Sequence, residues 1–160
     1  MGSDKAQMMF CGKSLLERAT SLLSRLPVND IVVLGREGVD HGVRDEIPYT
    51  GPARAIKTWL GHRPKPLNLL VIPVDMPALA PAQLNHLLDQ PSGAFYRDLY
   101  LPFFAPYALQ GRLASNTARM RDVISAFKLT ELSVPPHWRN ALTNVNTPDD
   151  LHALEQTFKD

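Results

Sequence analysis

The sequence is poor in the features that most often betray a partner, and each lack removes a class of function. It has one cysteine, Cys11, in 160 residues. An internal disulfide is therefore excluded, and with no histidine or carboxylate close by in sequence Cys11 reads as a small semi-buried hydrophobe rather than a nucleophile. Seventeen basic residues nearly cancel sixteen acidic ones, leaving a net charge of +1, which gives no electrostatic argument for nucleic acid or an anionic membrane. The apolar runs fall far short of the roughly 20 residues that cross a bilayer. No basic-then-apolar signal peptide opens the chain, and Ala6 stands where a myristoylation signal wants Ser or Thr. A cytoplasmic protein with no nucleic-acid and no membrane partner is expected. Repeats and low-complexity segments are also missing.

What is present is a domain-sized core and an alternating pattern. A chain of 160 residues, 44% of them apolar, suffices for one domain and is short for two, so residues 1–160 are expected to form a single domain. Residues 14–26 place Leu15, Leu16, Ala19, Leu22, Leu23 and Leu26 at helical spacing. Ile31-Val32-Val33-Leu34, closed by Gly35, reads as a short buried strand. A polar loop over residues 38–51 follows, then a helix over residues 52–60 that Pro52 can start and Gly61 end. Further helices are predicted over residues 81–89 and 117–127 and from Pro148 onward, with Thr147 as N-cap. Residues 94–107, aromatic and punctuated by Pro102 and Pro106, suit short strands or loop, and residues 129–134 a short strand. Helices alternating with buried strands predict a three-layer α/β fold with a mostly parallel sheet.

One carboxylate stands out. Leu69-Leu70-Val71-Ile72-Pro73-Val74 reads as a strand buried on both faces, and Asp75 follows it directly, before Met76-Pro77. Open α/β sheets bind ligands outside the carboxyl ends of their strands, so an acidic group there is placed to hold a metal and, through it, a polyphosphate. The competing role for Asp75 is a turn residue or a cap for the helix near Pro81.

Four short strings then carry a resemblance. Met1-Gly2-Ser3-Asp4-Lys5-Ala6 with Gly12-Lys13-Ser14-Leu15-Leu16-Glu17-Arg18, Tyr49-Thr50-Gly51-Pro52, Val74-Asp75-Met76-Pro77, and Asn144-Val145-Asn146-Thr147-Pro148-Asp149-Asp150-Leu151 occur in that order. Together they resemble the MobA-like nucleotidyltransferases, the family of molybdenum cofactor guanylyltransferase. The resemblance implies a Rossmann-like nucleotidyltransferase fold and transfer of GMP from GTP to the molybdopterin form of the molybdenum cofactor, with release of pyrophosphate. It implies Lys5 and Asp75 as catalytic residues and Asp75 as the ligand of Mg²⁺. Nucleotide contacts fall to Lys5, Asp45, Gly51, Pro52 and Asp75, with Glu46 and Asp40 as close rivals of Asp45. Acceptor contacts fall to Asn144 and Asn146, and for Asn144 a plain turn role is an equal reading.

Departures from the pattern carry their own expectations. The family's first strand and its Leu-Ala-Gly-Gly-x-Ser-x-Arg loop have no counterpart before Met1. The sequence therefore reads as N-terminally incomplete, with poor stability or self-association through an exposed sheet edge. After Gly51-Pro52 comes Ala53-Arg54-Ala55-Ile56; the bulky cation Arg54 either binds an acceptor phosphate or marks a changed substrate. Two further readings thus stand beside the first: a related enzyme using CTP or a sugar phosphate, and a non-catalytic cofactor-binding protein.

Overall fold

The computed structural model describes residues 5–46 and 50–157. Met1 to Asp4 of the N-terminal string and Tyr49 of the Gly-Pro string lie outside the described residues. In chain order the elements are β1 (Met9–Phe10), β2 (Lys13–Ser14), α1 (Leu15–Leu23), β3 (Val33–Leu34), β4 (Gly42–Val43), α2 (Pro52–Gly61) and β5 (Leu67–Val71). They continue with α3 (Pro81–Leu88), β6 (Ala94–Tyr96), β7 (Phe103–Ala108), α4 (Met120–Phe127), β8 (Thr130–Leu132) and α5 (Pro148–Gln156). Two compact units result, one from residues 1–29, 72–86 and 134–160, the other from residues 30–71 and 87–133.

In the first unit, β1 and β2 form an antiparallel hairpin whose turn is Cys11-Gly12, both at positive φ (47° and 79°). Two left-handed residues give the tight turn whose twist matches its strands. This corrects the expectation for Cys11: at the hairpin tip it is exposed, while its N–H donates to Glu155 Oε1 at 2.8 Å. Helix α1 starts where the spacing predicts. Ser14 Oγ accepts from the Glu17 N–H at 3.2 Å and the Glu17 carboxylate accepts from the Ser14 N–H at 2.8 Å, a reciprocal cap. Helix α5 starts at Thr147 in the same way. Phe10, Leu15, Val145, Leu151 and Leu154 close a core between hairpin, α1 and α5.

The second unit is built on a four-stranded sheet of order β5-β7-β6-β8. β7 is antiparallel to both β5 and β6, while β6 and β8 are parallel. Three strands therefore run one way and β7 alone runs against them. The expectation of a mostly parallel sheet holds for strand directions but not for the individual ladders, two of which are antiparallel. Helices α2 and α4 supply Ala53, Ile56 and Leu60, and Val123, Ile124 and Phe127, to one core with Phe95, Phe103, Ala105 and Ala108 of the strands. Pro106 sits inside β7, a central strand, which is tolerated because the ladder slips there: Leu67 pairs with Ala108 but Leu69 with Ala105. The extra β7 residue makes a bulge, where a missing N–H costs no regular hydrogen bond.

Two strand expectations need correction. The predicted strand over residues 69–74, buried on both faces, is Leu67–Val71, and its residues are half-buried or exposed. It ends the sheet order and pairs on one side only among the described residues, and Pro73 cannot extend the ladder. The predicted buried strand at residues 31–34 is reduced to Val33–Leu34, half-buried and parallel to β4 inside the predicted loop. By contrast, the second unit depends on Gly93, which enters β6 at φ 76°; a Cβ there would lie 2.5 Å from the Phe104 carbonyl oxygen and 2.6 Å from Pro106. Gly93→Ala combines a left-handed conformation with a backbone clash, and is expected to cost about 1–3 kcal/mol or more, read as a lowered midpoint in urea unfolding.

Candidate functional site

Asp75 lies in a turn four residues beyond the end of β5. Its backbone carbonyl accepts from the Val145 N–H at 2.8 Å, which ties the Asp75 turn to the Asn144–Thr147 loop. The capping role is excluded by geometry: at the start of α3 it is Gln83 Oε1 that accepts, from the Ala80 N–H at 3.0 Å. Burial pushes the Asp75 carboxyl above its ordinary pKa, and its own backbone N–H and the charge of Lys5 pull back against that. A partly desolvated carboxylate with a lysine nearby is suited to a hard cation, which replaces the water the carboxylate has lost.

Lys5 reaches this place from the 3-10 turn Lys5–Gln7. Its Nζ donates to Asn146 Oδ1 at 2.8 Å, so a flexible side chain is held in one direction. The Asn146 N–H in turn donates to Asp150 Oδ2 at 2.9 Å. That bond, with the Thr147 hydroxyl and N–H, and with Lys5 further off, holds the Asp150 carboxyl below its ordinary pKa. Asp150 thus both caps α5 and holds the Asn146 backbone. The signal for this in the sequence is Thr147-x-x-Asp150, a capping box that also fixes the loop before the helix.

The structure thus brings Lys5, Asp75 and Asn146 together in the first unit. Asn144 is exposed in the same loop and its side chain makes no hydrogen bond to either of them among the described residues. Asp45, Gly51 and Pro52 belong to the second unit. There Gly51, at φ 83°, is the N-cap of α2 and Pro52 its first residue, the helix start expected of Pro52. Asp45, Thr50 and Arg54 line a cleft of about 420 Å³ beside α2. Of the rivals to Asp45, Glu46 also lines this cleft but is engaged by His62 Nε2 at 2.7 Å, whereas Asp40 is not part of its wall. Most of the aromatic run is core: Phe95, Tyr96, Phe103 and Phe104 are buried, whereas Tyr100 and Tyr107 are exposed. Trp138 packs edge-on against His86 and His137.

Comparison with known proteins bears on the family and the fold. The description of the MobA-like NTP transferase domain matches residues 1–132. A molybdenum cofactor guanylyltransferase of Xanthomonas euvesicatoria pv. vesicatoria is 28% identical over 164 residues, covering 96% of this chain and 87% of that protein. Among solved structures, molybdopterin-guanine dinucleotide biosynthesis protein A from Archaeoglobus fulgidus superposes with a TM-score of 0.59 at 19% identity, covering 99% of this chain and 92% of that one, which shows a shared fold. No helix among the described residues is long and apolar enough to cross a membrane. With the family description spanning most of the chain, and the mixed α/β architecture shared with a solved relative, this protein belongs to the MobA-like NTP transferase family and is a nucleotidyltransferase.

Proposed function

We propose that the protein transfers GMP from GTP to the molybdopterin form of the molybdenum cofactor, releasing pyrophosphate. The observation that carries this is the cluster of Lys5, Asp75 and Asn146, joined by the 2.8 Å bond from Lys5 Nζ to Asn146 Oδ1 and by the action of the Lys5 charge on Asp75. In the transfer, an oxygen of the acceptor phosphate forms a bond to the α-phosphorus of GTP while the bond from that phosphorus to the bridging oxygen breaks, and the electron pair leaves with pyrophosphate. The nucleophile is already an oxyanion, so no general base is required. The barrier lies in bringing anions together, which calls for positive charge and in-line placement.

Lys5 supplies a point charge to the triphosphate, and Asn146 aims it. Asn144 and Asn146 offer amides that both donate and accept, suited to the acceptor's phosphate and pterin edges. Asp45 and the Gly51-Pro52 turn hold the nucleotide. Among the described residues no three His, Cys, Asp or Glu side chains gather as a metal cage, but Mg²⁺ is characteristically bound by one or two carboxylates together with substrate phosphates. The partly buried Asp75 fits that mode, and Mg²⁺ held there would neutralise phosphate charge as a Lewis acid.

Calorimetric titration with GTP tests this reading. GTP is expected to bind with Mg²⁺ and not with EDTA, and Lys5→Ala is expected to weaken binding about tenfold or more, the scale of one charge-assisted phosphate contact. CTP binding as tightly as GTP would instead favour the cytidylyl-transferring reading. Binding of neither nucleotide, beside retained binding of molybdopterin, would withdraw the transfer reaction.

A further inference from the structure

The cleft beside α2 carries an imbalance of donors over acceptors. Four basic side chains line it: Arg44, Arg54, Lys57 and His62. Three of them are engaged. Arg44 pairs with Glu37 at 3.6 Å, Lys57 Nζ donates to the carbonyls of Ala114 and Ser115 at 2.8 and 2.6 Å, and His62 pairs with Glu46 at 2.7 Å. Arg54 alone of the four has no ion pair or hydrogen bond among the described residues. Trp59 also lines the cleft; its indole Nε1 is buried and has no hydrogen-bond partner among the described residues. Arg63 stacks on the Trp59 ring at 3.6 Å from its centroid, which holds the indole in its orientation.

The Arg54 guanidinium, exposed and without a partner among the described residues, calls for an acceptor-rich, anionic guest. The remaining polar lining suits the other part of such a molecule: the Asp45 carboxylate accepts from hydroxyls, and Thr50, Thr58 and Ser115 both donate and accept. We propose that Arg54 is a specificity-determining residue that receives the phosphate of a phosphorylated sugar group in this cleft, with Asp45 on the sugar hydroxyls. A planar fork of five donors matches a phosphate bidentately, which a lysine or a neutral amide cannot do. The inference rests on the reading that Asp45 and the Gly51-Pro52 turn hold substrate. The phosphate belongs either to the nucleotide or to the acceptor, and both present the same chemistry to Arg54.

The test is titration of the full chain with ribose 5-phosphate and with ribose at fixed ionic strength, followed by ¹H–¹⁵N NMR of the Trp59 indole and the amides at the start of α2. Ribose 5-phosphate is expected to shift these signals, and ribose to bind at least tenfold more weakly. Arg54→Gln should lose at least tenfold in ribose 5-phosphate affinity, and Arg54→Lys should keep part of it. Arg54 is exposed, so both variants are expected to melt with the parent. No binding of ribose 5-phosphate, or equal binding by Arg54→Gln, overturns the proposal. Lys5→Ala separates this inference from the transfer reading, since it should weaken GTP and leave ribose 5-phosphate unaffected. If GTP is not used while Arg54 still governs ribose 5-phosphate binding, the transfer reading falls and the cleft stands. Where transfer occurs, a raised KM for GTP in Arg54→Gln assigns the phosphate to the nucleotide, and a raised KM for the acceptor assigns it to the acceptor.

Discussion

Asp75→Asn is expected to lower Mg²⁺-dependent nucleotidyl transfer by at least about a hundredfold, the scale of removing a preorganised electrostatic contact to the transition state, while leaving the fold intact. The two parts of this expectation have separate causes. The tether of the turn is the Asp75 backbone carbonyl, which accepts from Val145, and asparagine keeps that carbonyl and the shape of the side chain. Burial has raised the carboxyl's pKa, which means that the folded environment disfavours its charge. Sign follows from this: a neutral amide removes a cost at neutral pH, so the melting temperature of the variant should equal or exceed that of the parent. What the amide cannot do is neutralise a cation. Assay of pyrophosphate release from GTP, with a thermal melt of the same sample, checks both parts. Unchanged turnover would place the metal on other residues, and a large fall in melting temperature would mean that Asp75 acts in folding.

Phe103→Ala should cost about 3–5 kcal/mol, the range for emptying a buried phenylalanine site. Phe103 has no exposed surface. It lies on β7, paired across to Val71 on one side and to Phe95 on the other, and its ring belongs to the core shared with α2 and α4, where ladder and helices restrict any collapse into the space left. Against a typical total stability of about 5–15 kcal/mol, that loss is large enough to unfold much of the protein at moderate temperature. Tyr107 provides the control on the same strand. It is 73% exposed, and Tyr107→Ala should stay within about 0.5 kcal/mol of the parent. Urea unfolding of the two variants measures the contrast. A small effect at Phe103 would show that the sheet of the second unit is loosely packed at its centre.

Much of the local structure was legible because its causes are local. Thr147 with Pro148 and Asp150, and Ser14 with Glu17, spell helix starts through side-chain and backbone groups three residues apart, and both helices begin there. Gly51-Pro52 likewise announces α2, through a left-handed residue followed by one pre-set for the helix. Burial was harder to read. The run ending at Val74 is apolar on both faces, a pattern that predicts a central strand, yet β5 ends the sheet order and is half-buried. Composition records how apolar a strand is, whereas its neighbours are set by segments distant in the chain. Cys11 erred in the same way: a small apolar residue type was placed at an exposed hairpin tip because two positive-φ residues were needed there.

Helix caps, the alternation of helices and strands, and the ordered strings that carry the resemblance can be read along the chain, since all of these depend on residues close together in it. Packing alone brings Lys5 to Asn146, 141 residues away, anchors the Asp75 turn through Val145, and sets Arg54 in a cleft whose other basic side chains are already engaged. Contacts across such separations are chosen by how whole elements pack, because the entropy of closing long loops is recovered only when many buried contacts form together. No local pattern of residues encodes that choice.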